Sequence, residues 1–106
     1  MTDFDPQAAL DALYNEYRER AEAIRRDMQR SEPVEAIEQA QQRQNDEVLN
    51  ALLAEAEEGM DQVGLARLRL AEGRYGSCLK CARPIEPARL QALPAASFCA
   101  ACADNP

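Results

Sequence analysis

The chain has 106 residues, with 19 acidic against 12 basic side chains, a formal charge of −7, four cysteines, and neither His nor Trp. That length makes one small domain with at most a protruding extension, and a chain this short needs a staple, for which the cysteines are the candidates. The lack of His removes a histidine general base and any Cys/His zinc site, the negative charge argues against direct phosphate binding to nucleic acid, and no apolar run reaches the roughly 18 residues of a membrane span.

The opening residues Met1-Thr2-Asp3-Phe4-Asp5-Pro6 are acidic and hold no apolar core, so they do not read as a secretory signal. A cytoplasmic chain is expected, with thiols kept reduced. Asp5 suits an N-cap and Pro6 the first helical position. From there Leu10, Leu13, Tyr17, Ala21, Ile24 and Met28 recur at helical steps of three and four and form one apolar stripe. Ser31-Glu32-Pro33 interrupts the pattern, so this helix ends near Arg30 or Ser31. Ser31 or Glu32 then caps a second helix with Pro33 in its first turn.

The second helix runs from Val34 to Glu72 without a proline. Its stripe reads Val34, Ile37, Ala40 or Gln41, Gln44, Val48, Leu52, Ala56, Met60, Val63, Arg67 and Leu70. Gly59 and Gly64 each cost about 1 kcal/mol of helix propensity and mark either a bend or a close approach by the partner helix. Gly73 is the expected C-cap. One amphipathic helix cannot bury its own stripe, so the two fold back as an antiparallel hairpin with arms of roughly 36 Å and 58 Å at 1.5 Å per residue. Charge divides along the chain. Residues 31–60 carry eight acids and one base, whereas 61–106 carry four acids and six bases. The expected architecture is all-α: a coiled-coil hairpin over 1–72 with its tip near 31–40, on a small four-cysteine domain over 73–106.

Cys78-Leu79-Lys80-Cys81 and Cys99-Ala100-Ala101-Cys102 are two CxxC pairs separated by 17 residues. Each pair offers two thiolates to one metal face, and together they close a tetrahedron. Four soft thiolates suit one structural Zn²⁺ with no open catalytic position. A dithiol redox switch or disulfides are the alternatives, but no βαβ context accompanies the pairs. Between them Arg83-Pro84-Ile85-Glu86-Pro87 signals turns, a short helical stretch follows, and Ile85, Leu90 and Phe98 are expected as an apolar lid on the site.

This segment resembles the DksA/TraR family of RNA polymerase-binding zinc-finger proteins. The resemblance rests on Tyr75-Gly76-Ser77-Cys78-Leu79-Lys80-Cys81, Pro84-Ile85, Arg89-Leu90, Ala92, Pro94 and Cys99-Ala100-Ala101-Cys102. The preceding hairpin fits the longer members, so the likeness spans about residues 7 to 102. The family carries an acid-x-x-acid-x-Ala motif at the hairpin tip, which Glu35-Ala36-Ile37-Glu38-Gln39-Ala40 meets with Glu in place of the usual Asp. A second register uses Glu32 and Glu35 but puts Ile37 where Ala is expected. Acids near a helix start are also common for a plain reason, since they favour the positive end of the helix dipole.

The resemblance implies a non-enzymatic regulator that binds RNA polymerase, without binding DNA or membrane, as a monomer. The coiled coil would enter the secondary channel, with Glu35, Glu38 and Ala40 near the active site, and would alter initiation and open-complex lifetime. Arg67, Arg69, Arg74, Lys80, Arg83 and Arg89 near the base are candidate contacts to the channel rim. Members of this kind that act in the stringent response meet ppGpp with basic residues at two places that are Leu93 and Ala103 here, so coupling to ppGpp is expected to be weak or absent. Longer members continue with a C-terminal helix past the fourth cysteine, whereas this sequence ends at Pro106. The competing readings are a zinc-stabilised coiled-coil adaptor and a thiol redox sensor, neither acting on polymerase.

Overall fold

The structure, a computed structural model, describes residues 4–29 and 36–104, leaving aside the side chains of Ala36 and Ile37. The expected helix break at Ser31-Glu32-Pro33, the start of the second stripe at Val34, and the tip acids Glu32 and Glu35 lie outside the described residues. Among the described residues four helices follow in order: α1 (Pro6–Met28), α2 (Ala36–Ala71), α3 (Pro87–Ala92) and α4 (Ala100–Ala103). The fold is all-α, and an isolated antiparallel bridge joins Ser77 to Pro84. Among the described residues no helix is long and apolar enough to cross a membrane.

Helix α1 begins as its sequence dictates. Asp5 is extended, its side chain accepts the Ala8 N–H at 3.2 Å, and Pro6 opens the helix where no donor is needed. It ends at Met28, two residues before Arg30, because the Gln29 N–H is shared between the Arg25 and Arg26 carbonyls and the last turn unwinds there. Helix α2 ends in a Schellman motif. Gly73, at φ 75°, donates to Leu70 O at 3.1 Å, and Arg74 donates to Arg69 O at 2.8 Å. Only a residue without a Cβ takes that left-handed conformation at no cost, so Gly73 fixes where the rod stops and the cysteine segment begins.

The two long helices pack antiparallel along the α1 stripe foreseen from the sequence. Leu10, Ala21 and Ile24 are buried, and Leu13, Tyr14 and Tyr17 of α1 pack with Leu70 of α2 on a cluster formed by Leu10, Val63 and Ala66. Leu10 and Val63 are fully buried, and each contributes about 1.5–3 kcal/mol of transfer free energy. The base of the core includes Tyr75 and Ala95 from beyond α2. The α2 stripe departs from expectation in its first half. Val48 and Leu52 are 58% and 43% exposed, while Leu49 and Leu53 turn partly inward. Stepping back from Val63 through Met60, Ala56, Leu53 and Leu49 keeps the inward face. The expected sequence of fours from Ala56 back to Val48 drifts off it, because four residues overshoot a 3.6-residue turn.

Of the two interior glycines, Gly59 is the close approach. A Cβ there would lie 2.5 Å from Tyr17 Cε1 and Cζ, so the ring lies flat on the α2 backbone. Gly64 has nothing within 4 Å of a Cβ and explains no contact. Ion pairs Arg67–Asp11 at 2.6 Å and Arg25–Glu57 at 3.5 Å mark the register from base toward tip, which the buried apolar contacts hold. In that register the first turns of α2 run beyond Met28 by on the order of 20 Å at 1.5 Å per residue. The described side chains from Glu38 to Asn45 are all exposed. The molecule is elongated, 57 × 29 × 24 Å, with a radius of gyration of 18.2 Å, against about 13 Å for a compact domain of this size.

Candidate metal centre and hairpin tip

Two turns bring the four cysteines together. In the first, Cys78 donates to Arg83 O at 2.8 Å and Ala82 donates back to Cys78 O at 2.9 Å, folding Cys78–Cys81 into a knuckle beside the Ser77–Pro84 bridge. Ala82 closes it at φ 65°. In the second, Cys99 caps α4, the Ala103 N–H bonds Cys99 O at 2.9 Å, and one helical turn places Cys102 next to Cys99. The halves are held to each other by the Leu79 N–H to Ser97 O at 2.9 Å, and Glu86 accepts the Ala100 N–H at 3.3 Å. Ile85 is buried against Cys78 and Cys99, with Leu90 packed alongside. Phe98, expected as the third part of that lid, is instead 42% exposed. It immediately precedes Cys99, whose side chain turns into the cluster, and the extended backbone there sends neighbouring side chains to opposite sides.

The sulfurs of Cys78, Cys81, Cys99 and Cys102 all lie within 4.8 Å of one another. Cys81 Sγ and Cys99 Sγ are 3.8 Å apart, the edge of a sulfur tetrahedron with Zn–S bonds of about 2.3 Å. That separation is far beyond a disulfide bond of about 2.05 Å. Four mutually close thiols do not ionise together unaided. Burial opposes the Cys78 thiolate, but the backbone N–H groups of Cys99, Cys81 and Lys80 outweigh it, and its pKa falls to about 6. Cys102 is pushed up to about 12 by its hydrogen bond with Cys99, by burial, and by its bonds with Cys81 and Cys78. A divalent cation at the centre offsets this mutual repulsion. The donor set and its geometry fit one structural zinc, with all four positions filled by protein.

The expected base contacts divide into two groups. Arg67 and Arg69 serve the fold. Arg67 pairs with Asp11 and stacks over the Tyr14 ring at 4.5 Å. Arg69 is only 7% exposed, and its guanidinium donates to Ser97 Oγ at 3.2 Å. Burial and the neighbouring Arg74 both disfavour the Arg69 charge, which Tyr75 favours. Arg74 pairs with Glu72. Lys80 and Arg83 are exposed on the first knuckle, and Arg89 is half-buried with its Nε bonded to Phe98 O at 2.9 Å.

The sequence reading did not foresee the struts that hold the cysteine segment on the rod: Arg69 to Ser97, and the Tyr75 hydroxyl to Pro94 O at 2.8 Å. Arg69 lies off the stripe read from the sequence, three residues after the buried Ala66, so no pattern in one dimension pointed to its burial. At the far end, Glu38 is exposed in the first turn of α2, and Ala40 is exposed two residues on.

Residues 73–104 match the family described as the prokaryotic dksA/traR C4-type zinc finger. Among solved structures, the chain is similar to the transcription factor DksA2 from Pseudomonas aeruginosa. The TM-score is 0.82 at 26% identity, over 93% of this chain and 78% of that one. A comparison with curated proteins finds no match. The sequence likeness thus covers the finger, and the likeness in structure extends through the hairpin.

Proposed function

We infer the function of this chain from the premise that it is a DksA-like protein of the DksA/TraR C4 zinc-finger family. It regulates transcription in association with RNA polymerase, by binding and not by catalysis. The observation that carries this reading is the shape: a slender helical rod rooted on a metal-pinned foot, with Glu38 at the opposite end of α2 from the cysteines. About 33 residues of α2 separate Glu38 from the end of the helix, roughly 50 Å of reach.

In this reading the rod enters the secondary channel of the polymerase, and Glu35 and Glu38 reach its catalytic region. Exposed carboxylates there bias mobile elements of the enzyme by binding one of their arrangements better than another. Lys80, Arg83 and Arg89 are the base cations placed to meet the channel rim. Arg67 and Arg69 act indirectly, Arg67 by tying α2 to α1 within the rod and Arg69 by bonding the rod to Ser97 of the foot. No DNA contact is required, and a monomer in the cytoplasm suffices. The two places where a ppGpp-responsive member carries cations are Leu93 and Ala103, both exposed and both uncharged. The effect on initiation is therefore independent of ppGpp or only weakly coupled to it.

The test is open-complex lifetime on a ribosomal-type promoter, with polymerase binding measured in parallel. The chain shortens that lifetime, and Glu35→Gln with Glu38→Gln removes the effect while binding to core polymerase persists. Loss of binding in the double variant reassigns both acids to docking. A wild-type chain that does not bind polymerase ends this reading.

A further inference from the structure

A cleft of about 380 Å³ lies where the rod meets the cysteine segment. One wall is Leu13 and Tyr17 of α1, and the other is the turn from Ala92 through Pro94 to Ala96. Its volume lies in the range of small-ligand sites, and a junction between structural units is where such sites concentrate. The walls are rigid for identifiable reasons. Tyr17 is pressed flat against the backbone at Gly59, so the ring cannot sink further. The opposite turn is tied down by the Tyr75 hydroxyl on Pro94 O at 2.8 Å and by the Ala96 N–H on Leu93 O at 3.0 Å.

Among the described residues Arg89 is the one charged residue lining the cleft. Its Nε is fixed on Phe98 O at 2.9 Å, and among the described residues no carboxylate pairs with it. Among the described residues nothing bonds the terminal nitrogens of its guanidinium, which leaves them for an external acceptor. A planar fork of this kind takes a carboxylate or sulfonate by two parallel hydrogen bonds. We propose that this cleft is a binding site for a small amphipathic anion, with a flat apolar body between Tyr17 and the Ala92–Ala96 turn and its acidic end on Arg89. Such a ligand touches both the rod and the foot, so it stiffens the joint between them. The site shares Arg89 and Leu93 with the surface assigned to the polymerase reading, but it is tested on the chain alone, so failure of either is distinguishable from failure of the other.

The test uses the zinc-loaded full-length chain and anilinonaphthalene sulfonate, an aromatic anion whose fluorescence rises in apolar surroundings. One molecule binds per chain. Naphthoate displaces it, and the uncharged naphthylmethanol at the same concentration does not. Arg89→Gln weakens binding about tenfold or more, the loss expected for a charge-assisted contact. Ala92→Phe, which fills the cleft from an exposed position, abolishes binding with zinc content and helical circular dichroism unchanged. Binding unaltered by both variants, displacement by both naphthalene compounds alike, or no binding at all overturns the proposal.

Discussion

Replacing Gly59 by alanine tests the packing of the rod, because two opposed effects of known size meet there. In an exposed helix interior the change gains about 1 kcal/mol of helix propensity. Here the new Cβ would stand 2.5 Å from Tyr17 Cε1 and Cζ and 2.7 Å from Cδ1. Carbon atoms rest at about 3.5–4.0 Å, so the ring must retreat by about 1 Å. Tyr17 packs on the Leu10–Val63–Ala66 cluster and also carries the Arg20 guanidinium at 5.3 Å from its ring. Such overpacking costs about 1–3 kcal/mol, which leaves a net loss of about 1 kcal/mol. In a domain of this size that lowers Tm by about 4–8 °C. Urea unfolding of the zinc-loaded chain, followed by far-ultraviolet circular dichroism, reads the effect. Two comparisons sharpen it. Gly64→Ala, with nothing within 4 Å, stabilises by about 1 kcal/mol. Gly59→Ala introduced into Tyr17→Ala also stabilises, so the two sites couple by about 2 kcal/mol. A stabilised Gly59→Ala with no coupling to Tyr17 refutes the close approach.

Removing zinc with a chelator, or replacing Cys99 by serine, unfolds the segment from Tyr75 to Asp104, because metal binding here is folding free energy; circular dichroism and zinc release to a dye measure it. Zinc retention falls on acidification, since protons compete with the metal for all four thiolates, and a dye titration across pH shows the direction. Ser97→Ala leaves the buried Arg69 guanidinium short of its partner and costs about 1–3 kcal/mol in urea unfolding, whereas Ser97→Thr retains the hydroxyl and loses less. Ala82→Gly relieves a left-handed backbone at φ 65° and gains about 0.5–1 kcal/mol, seen as a higher melting temperature of the zinc-loaded chain.

Much of this molecule was legible in one dimension, for reasons tied to particular residues. Asp5-Pro6 and Gly73 mark helix ends through local stereochemistry, so their roles needed no knowledge of the partner helix. The α1 stripe from Leu10 to Met28 was read correctly because no register choice arose along it. The α2 stripe was read correctly from Ala56 onward and lost at Val48 and Leu52. Leu49 and Leu53 offered an equally apolar alternative one residue away, and the sequence held nothing to choose between them. Phe98 was misplaced because an aromatic beside a cysteine pattern looks like core, whereas backbone direction at Cys99 decides which side chain faces the metal.

The four cysteines are the clearest case of local determination. Their spacing and the chemistry of thiolates specify one tetrahedral metal whatever the rest of the chain does. The joint between foot and rod is the opposite case. Arg69 read as an exposed cation, and became a buried strut because Ser97, 28 residues away, presents a hydroxyl to it. The same holds for Tyr17 against Gly59, and for the cleft that Arg89 shares with Leu13. Short-range patterns specify helices, caps and ligands because the interacting atoms are neighbours in sequence. Burial, register and clefts depend on which distant surfaces meet, and only the folded chain brings those surfaces together.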